Sequence, residues 1–526
     1  MNSDAEFARV SNSFFRAGGY VPAANGRDVV DPSCNKVIGQ MAEVAHDDIE
    51  AVVASASRAQ KIWYAQSALE RSEILHEVAT AIRKLRPEIA ELMTRETGKP
   101  YKESADELVW SASAVDYYAE LGRHSIGSVL GSAVQGQTHY TVKEPMGTVV
   151  IILPANFPVL LMMWSAAAAL AAGNAVIVKP SEFASLTTLS FMRAFNHLPD
   201  GLVQCVTGGA DAAKQLVAHK DTHMVAFTGS VPTGQAVSRA CADFFKPHLI
   251  EASGSDAFLV MPSAPVDIAA RAATFASFLN CGQVCTSAEK ILVHDAIYDE
   301  FMEAFIANVK KLRVGHGLDK VDVGPMENAR ERERVEGVLA RAVEQGATVA
   351  LGGSRPHLEG PLKDGFFFEP TVLEGLHPDM DIFTQEVFGP IAPIYRVSSF
   401  EEALKITNDS PFGLGANLYS KDLEEITRAT SEIVAGMVWV NAPLLDNDAG
   451  PFGGRKMSGI GRQLGAEGLD TFRHTKLVMI DPAASAQDFW WFPYQDEEAW
   501  QGETGTDEAN EPAPAEESGQ LAAAGA

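Results

Sequence analysis

The pattern of apolar and polar positions changes character near residue 148. Before that point, residues 47–98 and 103–122 carry apolar side chains at helical spacing, with few residues that would interrupt a helix. After it, short apolar runs rich in β-branched residues alternate with longer helical stretches. Such runs predict strands at residues 148–153, 175–179, 203–207 and 224–228, and residues 159–172 predict a buried, alanine-rich helix.

Strands that alternate with helices are typical of a parallel, doubly wound sheet. The alternation occurs in two blocks, one before about residue 253 and one from there to about residue 450. A chain of 526 residues is also too long to fold around one core. The sequence therefore predicts an α/β fold with two doubly wound parallel-sheet domains.

Residues 149–178 are mostly apolar and could be mistaken for a membrane span. Prolines, asparagines and a glycine interrupt them, and the longest clean run, 159–172, is shorter than the ~20 residues that a bilayer requires. The N-terminus has neither the basic nor the apolar region of a secretory signal. We therefore expect no membrane partner and a cytoplasmic location.

The composition supports that expectation and excludes some classes of binding partner. The formal net charge of -27 argues against a nucleic-acid partner, which would require a basic surface. Part of that charge lies in residues 496–517, which hold nine acidic and no basic residues and are expected to be disordered. The five cysteines have no paired spacing, which is typical of free thiols in a reducing compartment, and no metal site is expected.

Two segments carry the candidate chemistry. Phe278-Leu-Asn-Cys-Gly-Gln-Val-Cys285 offers a thiol, and Ile250-Glu-Ala-Ser-Gly254 offers a carboxylate. The glycine and small residues around each allow a backbone to approach a substrate closely. A cysteine can attack a carbonyl carbon, and a carboxylate can later activate a water that releases the acyl group.

Further motifs follow in a set order along the chain. They are Pro154-Ala-Asn-Phe-Pro158, Lys179-Pro-Ser-Glu182, Phe227-Thr-Gly-Ser-Val-Pro-Thr-Gly234, Glu386-Val-Phe-Gly-Pro390 and Pro451-Phe-Gly-Gly-Arg-Lys-Met-Ser-Gly-Ile-Gly-Arg462. Alone, each would pass for a turn, a helix cap or a solvated surface pair. Together they resemble the NAD(P)-dependent aldehyde dehydrogenase superfamily, from about residue 18 to about residue 480.

The resemblance implies that NAD is the cofactor, with NADP as an alternative. The Thr-Gly-Ser motif would open a helix whose N-terminus faces the pyrophosphate. A carboxylate at Glu182 would repel a 2′-phosphate, which favours NAD. The cofactor contacts carried over from the family are Lys179, Ser181, Glu182, Gly229, Ser230, Gly234, Glu386 and Phe388.

The resemblance also assigns the catalytic roles. Cys285 is the expected nucleophile, Glu251 the general base and Asn156 the donor to the oxyanion, with the Cys285 backbone N–H. Two residues depart from the family pattern: Ala155 replaces a tryptophan, and Gln463 replaces a glutamate that is common there. The product would be a carboxylic acid, released from a thioester by water.

Alternatives to this activity stay open at this point. A dehydrogenase that passes the acyl group to coenzyme A is disfavoured, because such relatives lack the glutamate at the position of Glu251. A catalytically silent binding protein on the same fold is disfavoured by the presence of Cys285, Glu251 and Asn156.

The motif alignment predicts an apolar and aromatic substrate tunnel, suited to an aliphatic or aromatic aldehyde. Its lining would be Trp110, Phe157, Leu161, Trp164, Leu279 and Phe452. Aromatic faces can also hold a quaternary ammonium group, and Asp446 and Asp448 lie in the loop expected at the mouth, so a betaine-type or amino-aldehyde is an alternative. Arg455 and Arg473 would instead suit the carboxylate of a semialdehyde.

The family resemblance sets the domain boundaries and an assembly. Residues 1–124 and 146–253 would bind NAD, residues 254–450 would form the catalytic domain, and residues 125–145 with 466–482 would join subunits into a homodimer or homotetramer. Residues 483–526 form an aromatic and then acidic tail. The aromatic cluster at 489–494 is expected to pack on a neighbouring subunit, because it is too apolar for a solvated tail.

Overall fold

The computed structural model describes residues 3–124, 126–488 and 490–492. In chain order the helices are α1 (Ser3–Val10), α2 (His46–Tyr64), α3 (Ala68–Thr97), α4 (Tyr101–His124), α5 (Pro158–Ala171), α6 (Ser185–Phe191), α7 (Ala210–Ala218), α8 (Val231–Ala242), α9 (Val266–Phe278), α10 (Tyr298–Val309), α11 (Ala329–Glu344), α12 (Asp381–Thr384), α13 (Phe400–Asp409), α14 (Leu423–Glu432) and α15 (Gly465–Thr471). The strands are β1 (Ser13–Arg16), β2 (Gly19–Pro22), β3 (Gly26–Asp31), β4 (Lys36–Ala42), β5 (Val129–Leu130), β6 (Thr138–Pro145), β7 (Thr148–Ile152), β8 (Ala175–Lys179), β9 (Val203–Cys205), β10 (Met224–Thr228), β11 (His248–Glu251), β12 (Asp256–Val260), β13 (Ala288–His294), β14 (Thr348–Leu351), β15 (Thr371–Glu374), β16 (Ile391–Val397), β17 (Gly415–Tyr419), β18 (Met437–Val440), β19 (Gly459–Ile460) and β20 (Arg473–Ile480).

The first large sheet has eight strands in the order β19-β11-β10-β7-β8-β9-β1-β2. Its centre, from β11 to β9, is parallel, and antiparallel strands form both edges. The central strands β7, β8 and β10 are buried along their whole length. They are continuous apolar runs because helices cover both faces of a parallel sheet.

The second large sheet has seven strands in the order β14-β15-β16-β13-β12-β17-β18. All its neighbouring pairs are parallel except β14 with β15. The two sheets have separate hydrophobic cores, and the segment that carries Cys285 contributes to both. Cys281 is buried in the second core, while Cys285 packs against the first. The predicted α/β class with two doubly wound sheets is confirmed.

The helical pattern at residues 47–98 was predicted without a break, and the structure divides it into α2 and α3. The break is a capping box. The Glu70 amide donates to the Ser67 hydroxyl, and the Glu70 carboxylate accepts from the Ser67 amide. These reciprocal bonds satisfy amides that a helix start would otherwise leave unpaired, so Ser67 begins a new helix.

By its internal contacts the chain divides into two units. One holds residues 3–128 and 142–476 and contains both large sheets. The other holds Val129–Thr141 and the described residues from Leu477 onward. A small sheet has the order β20-β6-β5, and its β5–β6 pair includes Leu130 opposite His139. The predicted boundaries at residues 124, 146, 253 and 450 stay predictions.

Candidate active site

The carboxyl ends of four neighbouring strands bring the predicted motifs together. The strands β8, β7, β10 and β11 are adjacent and parallel, and ligands of open α/β sheets bind beyond this edge. Lys179 ends β8, Thr228 ends β10 and Glu251 ends β11, while Asn156 follows β7 after a short loop. Motifs that lie up to 95 residues apart in sequence, from Asn156 to Glu251, therefore share one edge.

A cavity of about 1280 Å³ opens at this edge. Most of the predicted catalytic and cofactor residues line it: Asn156, Lys179, Ser181, Glu182, Gly229, Ser230, Glu251, Cys285, Glu386 and Phe388. Gly234 is not among the lining residues. It lies inside α8, where a Cβ would come within 2.9 Å of Ile250, so its small size allows α8 to pack closely on β11.

Cys285 and Glu251 are neighbours in the cavity. Glu251 is 1% exposed, and neither of its carboxylate oxygens has a hydrogen-bonding partner of good geometry among the described residues. Burial raises the pKa of Glu251 to about 7, an effect that the nearby Cys285 thiol and Thr228 hydroxyl reduce. Burial also raises the pKa of Cys285 well above its usual value, and the Glu251 carboxylate adds to that shift.

Gly254 allows the segment that carries Glu251 to lie against the segment that carries Cys285. A Cβ placed on Gly254 would overlap the carbonyl oxygen of Cys285. Only glycine therefore lets the segment after Glu251 lie directly against the Cys285 backbone. The glycine in the motif is a requirement of this contact.

The turn before Cys285 is held in an uncommon conformation. Asn280, Cys281 and Gly282 have φ values of 48°, 58° and 72°, in the left-handed region that favours glycine. A Cβ on Gly282 would also overlap the carbonyl oxygen of Gly389. The nucleophile segment thus packs against the Glu386–Pro390 motif, and surrounding contacts must offset the strain of two non-glycine residues.

Asn156 faces the same turn. Its Nδ2 donates to the Gln283 carbonyl at 3.1 Å, and its Oδ1 accepts from the Phe157 amide at 3.0 Å. An amide nitrogen carries two hydrogens, so one remains for a ligand in the cavity. Asn156 therefore can serve as a donor next to Cys285.

Three charged residues that the sequence did not single out support the Asn156 loop and the turn before Cys285. Lys99 and Glu107 form a fully buried ion pair. Lys99 Nζ also donates to the Asn156 carbonyl at 2.7 Å, and Glu107 Oε1 accepts from the amides of Val159 and Leu160 at 2.8 and 2.9 Å. The pair thus fixes the Asn156 loop and caps the N-terminus of α5.

Glu103, one helical turn before Glu107, supports the other loop. Its Oε2 accepts from the amide of the strained Asn280 at 2.9 Å. Burial raises the pKa of Glu103 to about 8, although the positive charge of Lys99 and the Asn280 amide oppose the shift. The only sequence signal for this role is spacing, since residues 99, 103 and 107 recur every four positions.

Glu289 stabilises the backbone of the Glu386–Pro390 motif in the same way. Its two carboxylate oxygens accept from the amides of Val387 and Phe388, both at 2.8 Å. Phe388 has a φ of 44°, so these bonds stabilise another strained residue. Burial and the Glu289 charge raise the pKa of Glu386 well above its usual value.

The six residues predicted for the substrate do not line the described cavity. Phe157, Leu161 and Trp164 lie at and after the start of α5 and are buried, and the Trp164 ring lies 4.8 Å from the Phe452 ring. Leu279 is partly buried against the first core, and Trp110 on α4 is 44% exposed. Five of the six belong to or pack against the first hydrophobic core, and Trp110 is outside it.

The acidic loop lies against α4, as a contact between two side chains demonstrates. Ser113 Oγ donates to Asp448 Oδ2 at 2.5 Å. Crowding by protein atoms and the Asp448 charge raise the pKa of Asp446 to about 7. Of the two arginines considered for a semialdehyde, Arg473 forms an ion pair with Asp470, and Arg455 is exposed.

The two departures from the family pattern occupy buried positions. Gln463 is 2% exposed, and its Nε2 donates to Ser165 Oγ at 2.8 Å. Ala155 is buried and lines the cavity. Cys281 and Cys285 are both free thiols, and Cys281 contacts Met326.

The described residues contain neither a metal-binding cluster nor a membrane-spanning helix. Among them, no group of three or more histidine, cysteine, aspartate or glutamate side chains is arranged to hold a metal ion. No helix within the described ranges is both long enough and apolar enough to cross a membrane.

Comparison with known proteins identifies the family. The sequence model described as "Aldehyde dehydrogenase family" matches residues 20–478. A relative, 3,6-anhydro-alpha-L-galactose dehydrogenase of Vibrio sp. (strain EJY3), is 35% identical over 88% of this chain and 98% of its own. The chain belongs to the aldehyde dehydrogenase family, and the prediction made from the motifs is confirmed.

Solved structures agree with this assignment. A betaine aldehyde dehydrogenase from Staphylococcus aureus in complex with NAD+ has a TM-score of 0.90 and 31% identity, covering 93% of this chain and 99% of its own. A 3,6-anhydro-L-galactose dehydrogenase in complex with NADP has a TM-score of 0.86 and 36% identity, covering 89% of this chain and 100% of its own.

Proposed function

We propose that this protein oxidises an aldehyde to the carboxylic acid with NAD, or NADP, as the hydride acceptor. The observation that carries the proposal is the pairing of a partly buried thiol, Cys285, with a buried carboxyl, Glu251, whose pKa is raised to about 7. A carboxyl with this pKa exchanges protons near neutrality. The same pairing disfavours coenzyme-A acylation and a silent binding role.

The lining residues fit a dinucleotide. The first turn of α8 lines the cavity, and the Ser230 hydroxyl there donates to the Thr233 hydroxyl at 3.0 Å. The amides at this helix N-terminus would receive the pyrophosphate. Lys179 and Glu182 would hold one ribose and Glu386 the other, with Phe388 beside the ring. When bound, the cofactor supplies a nicotinamide ring that accepts the hydride from the substrate carbon.

The first half of the reaction uses Cys285 and Asn156. Glu251 takes the Cys285 proton, and the sulfur then forms a bond to the aldehyde carbon. The carbonyl oxygen becomes an alkoxide, which the remaining Asn156 Nδ2 hydrogen and the Cys285 amide stabilise. Loss of the hydride from that carbon leaves a thioester on Cys285.

The second half depends on Glu251. Glu251 first releases to solvent the proton that it took from Cys285. Its carboxylate then removes a proton from water, and the water oxygen bonds to the thioester carbon. The carbon–sulfur bond then breaks and returns the electron pair to Cys285. The carboxylic acid leaves, and Cys285 is ready for another cycle.

The initial rate of NADH formation across a panel of aliphatic, aromatic, ω-carboxylated and quaternary ammonium aldehydes tests the proposal, with Cys285→Ala as the matched blank. Turnover by the unaltered protein that is absent from the blank supports the proposed roles. Equal rates in both would contradict the role of Cys285.

Amino-aldehydes or betaine-type aldehydes are the second candidate substrates. The acidic pair Asp446 and Asp448 favours a cationic substrate, because Asp448 contacts α4 at Ser113, one turn after Trp110. Trp110 and Ser113 are neighbours on the surface of α4, and a carboxylate and an exposed aromatic ring on one face both suit an ammonium group. A preference for quaternary ammonium aldehydes that Asp448→Asn abolishes would support this candidate.

We further propose assembly into a homodimer or homotetramer in the cytoplasm, with the domain boundaries given above. Exposed apolar side chains on β5 and on the end of β20 support the assembly: Val129, Leu130, Leu477, Met479 and Ile480. Apolar side chains grouped in this way are typical of interfaces between subunits.

A further inference from the structure

Arg27 lies where the predicted ribose-binding carboxylate ends. It is the second residue of β3, and its guanidinium forms ion pairs with two glutamates from separate segments. Nη1 lies 2.8 Å from Glu182 Oε2, and Nε pairs with Glu43, which follows β4. Glu182 lines the cavity, and Arg27, which is not itself among the lining residues, contacts it through this ion pair.

The backbone at the start of α7 lies close to the guanidinium. Gly209 precedes this helix, and a Cβ there would lie 2.5 Å from Arg27 Nη2. The Gly209 amide also donates to Glu43 Oε2 at 3.4 Å. Within the described residues, the side-chain hydrogen bonds of Arg27 use Nε and Nη1, so both Nη2 hydrogens are available to a ligand.

The charges around Glu182 balance. Arg27 and Lys179 are basic, and Glu43 and Glu182 are acidic, so their formal charges cancel. Lys179 is 7% exposed, and its Nζ donates to the Pro180 carbonyl at 3.0 Å. The repulsion of a 2′-phosphate that the sequence predicted from Glu182 alone is therefore offset.

We propose that Arg27 is a cofactor-specificity residue that receives the 2′-phosphate of NADP. This inference rests on the proposed use of a nicotinamide dinucleotide. With NAD, Arg27 holds the Glu182 carboxylate in place for the ribose hydroxyls. With NADP, the guanidinium turns from Glu182 to the phosphate, whose oxygens match its planar fork of N–H donors. The chain therefore uses both cofactors.

Calorimetric titration with ADP and with 2′,5′-ADP tests this role without turnover. In the unaltered protein both probes bind. Arg27→Ala weakens 2′,5′-ADP by about tenfold or more, because a hydrogen bond to a charged group contributes about 1.5 to 3 kcal/mol. The same variant changes ADP binding much less. Glu182→Gln has the opposite effect: it strengthens 2′,5′-ADP and weakens ADP.

The matched control is Arg313→Ala, which removes another exposed arginine that is paired with an acid, Asp322. It leaves the affinity for both probes unchanged. Equal weakening of the two probes in Arg27→Ala, or ADP binding without 2′,5′-ADP binding in the unaltered protein, would overturn the inference. Failure of both probes to bind the unaltered protein would contradict the proposed cofactor site itself and the inference with it.

Discussion

Burial acts on the Cys285 thiol and the Glu251 carboxyl in the same direction. Both pKa values rise, because each group loses water that would stabilise its charged form. Each anion also repels the other. A proton can therefore pass from Cys285 to Glu251 without creating a second charge, and this coupling suits a site that needs a thiolate first and a carboxylate afterwards.

The ionisation of Glu251 should give the pH profile of kcat an acidic limb, in which kcat falls as the pH decreases. Its folded-state pKa is about 7, and the base is its ionised form. We therefore expect kcat to rise with pH through about 7 and to level off above it. Glu251→Gln should remove the limb and lower kcat by about 100-fold or more. The check is kcat against pH for both proteins; an unchanged limb in the variant would exclude Glu251 as its source.

Gly254→Ala should impair catalysis more than folding. The added Cβ would overlap the Cys285 carbonyl oxygen and displace the nucleophile. A displacement of about 1 Å can cost roughly 100-fold in rate. Gly131→Ala is the control, since a Cβ there meets no described atom within 4 Å. Equal kcat/KM values for the two variants would refute the argument.

Helix α4 and the residues just before it act as a support for the site. Lys99, Glu103 and Glu107 recur every four positions and reach the Asn156 loop, the Asn280 turn and the start of α5. Their acceptors and donors are mostly backbone groups, which fixes loop positions instead of side-chain rotamers. A buried pair such as Lys99–Glu107 costs desolvation, and the additional hydrogen bonds offset that cost.

Glu103→Ala should lower kcat/KM by about tenfold or more, because it leaves the Asn280 amide of a strained turn unpaired. Glu103→Gln keeps an acceptor oxygen and should retain most activity. Lys102→Ala, on the exposed face of the same helix, is the control. The measurements are steady-state kinetics and thermal unfolding. A glutamine variant as impaired as the alanine variant would refute the positioning role.

The molecule as a whole leaves apolar side chains exposed on the smaller unit. They lie on β5 and on β20 after Lys476, and the described aromatic residues Trp490, Trp491 and Phe492 are exposed as well. The remainder of the aromatic cluster predicted at 489–494, and the acidic tail, lie outside the described residues.

The double substitution Leu477→Asp and Met479→Asp should convert the predicted oligomer into smaller species, since it places charge on an apolar interface. Sedimentation velocity at several protein concentrations provides the measurement. An unchanged sedimentation coefficient in the double variant would contradict the interface.

Truncation after Pro482 removes the tail and keeps the strand β20. A change in kinetics or assembly would support the predicted packing of the tail on a neighbouring subunit.

Much of the fold could be predicted from local patterns of apolar and polar residues. The buried strands β7, β8 and β10 match their apolar runs because a parallel sheet buries whole strands and leaves a continuous signal. Cys285, Glu251 and Asn156 could be found because each stands in a short motif that resembles one of a known family. The break between α2 and α3 was missed, because a capping box needs only Ser67 and Glu70 and barely alters the helical period.

Tertiary contacts decided how those motifs work together. Lys99 meets Asn156, Glu103 meets Asn280, Glu289 meets Phe388 and Arg27 meets Glu182. In sequence these charged residues resemble solvated surface positions, because charge alone does not reveal burial or a distant partner. The periodicity of a chain depends on its neighbours along the backbone and so determines its elements. The state of Cys285 and Glu251, and the charge balance at Glu182, depend on groups that only folding brings within a few ångströms.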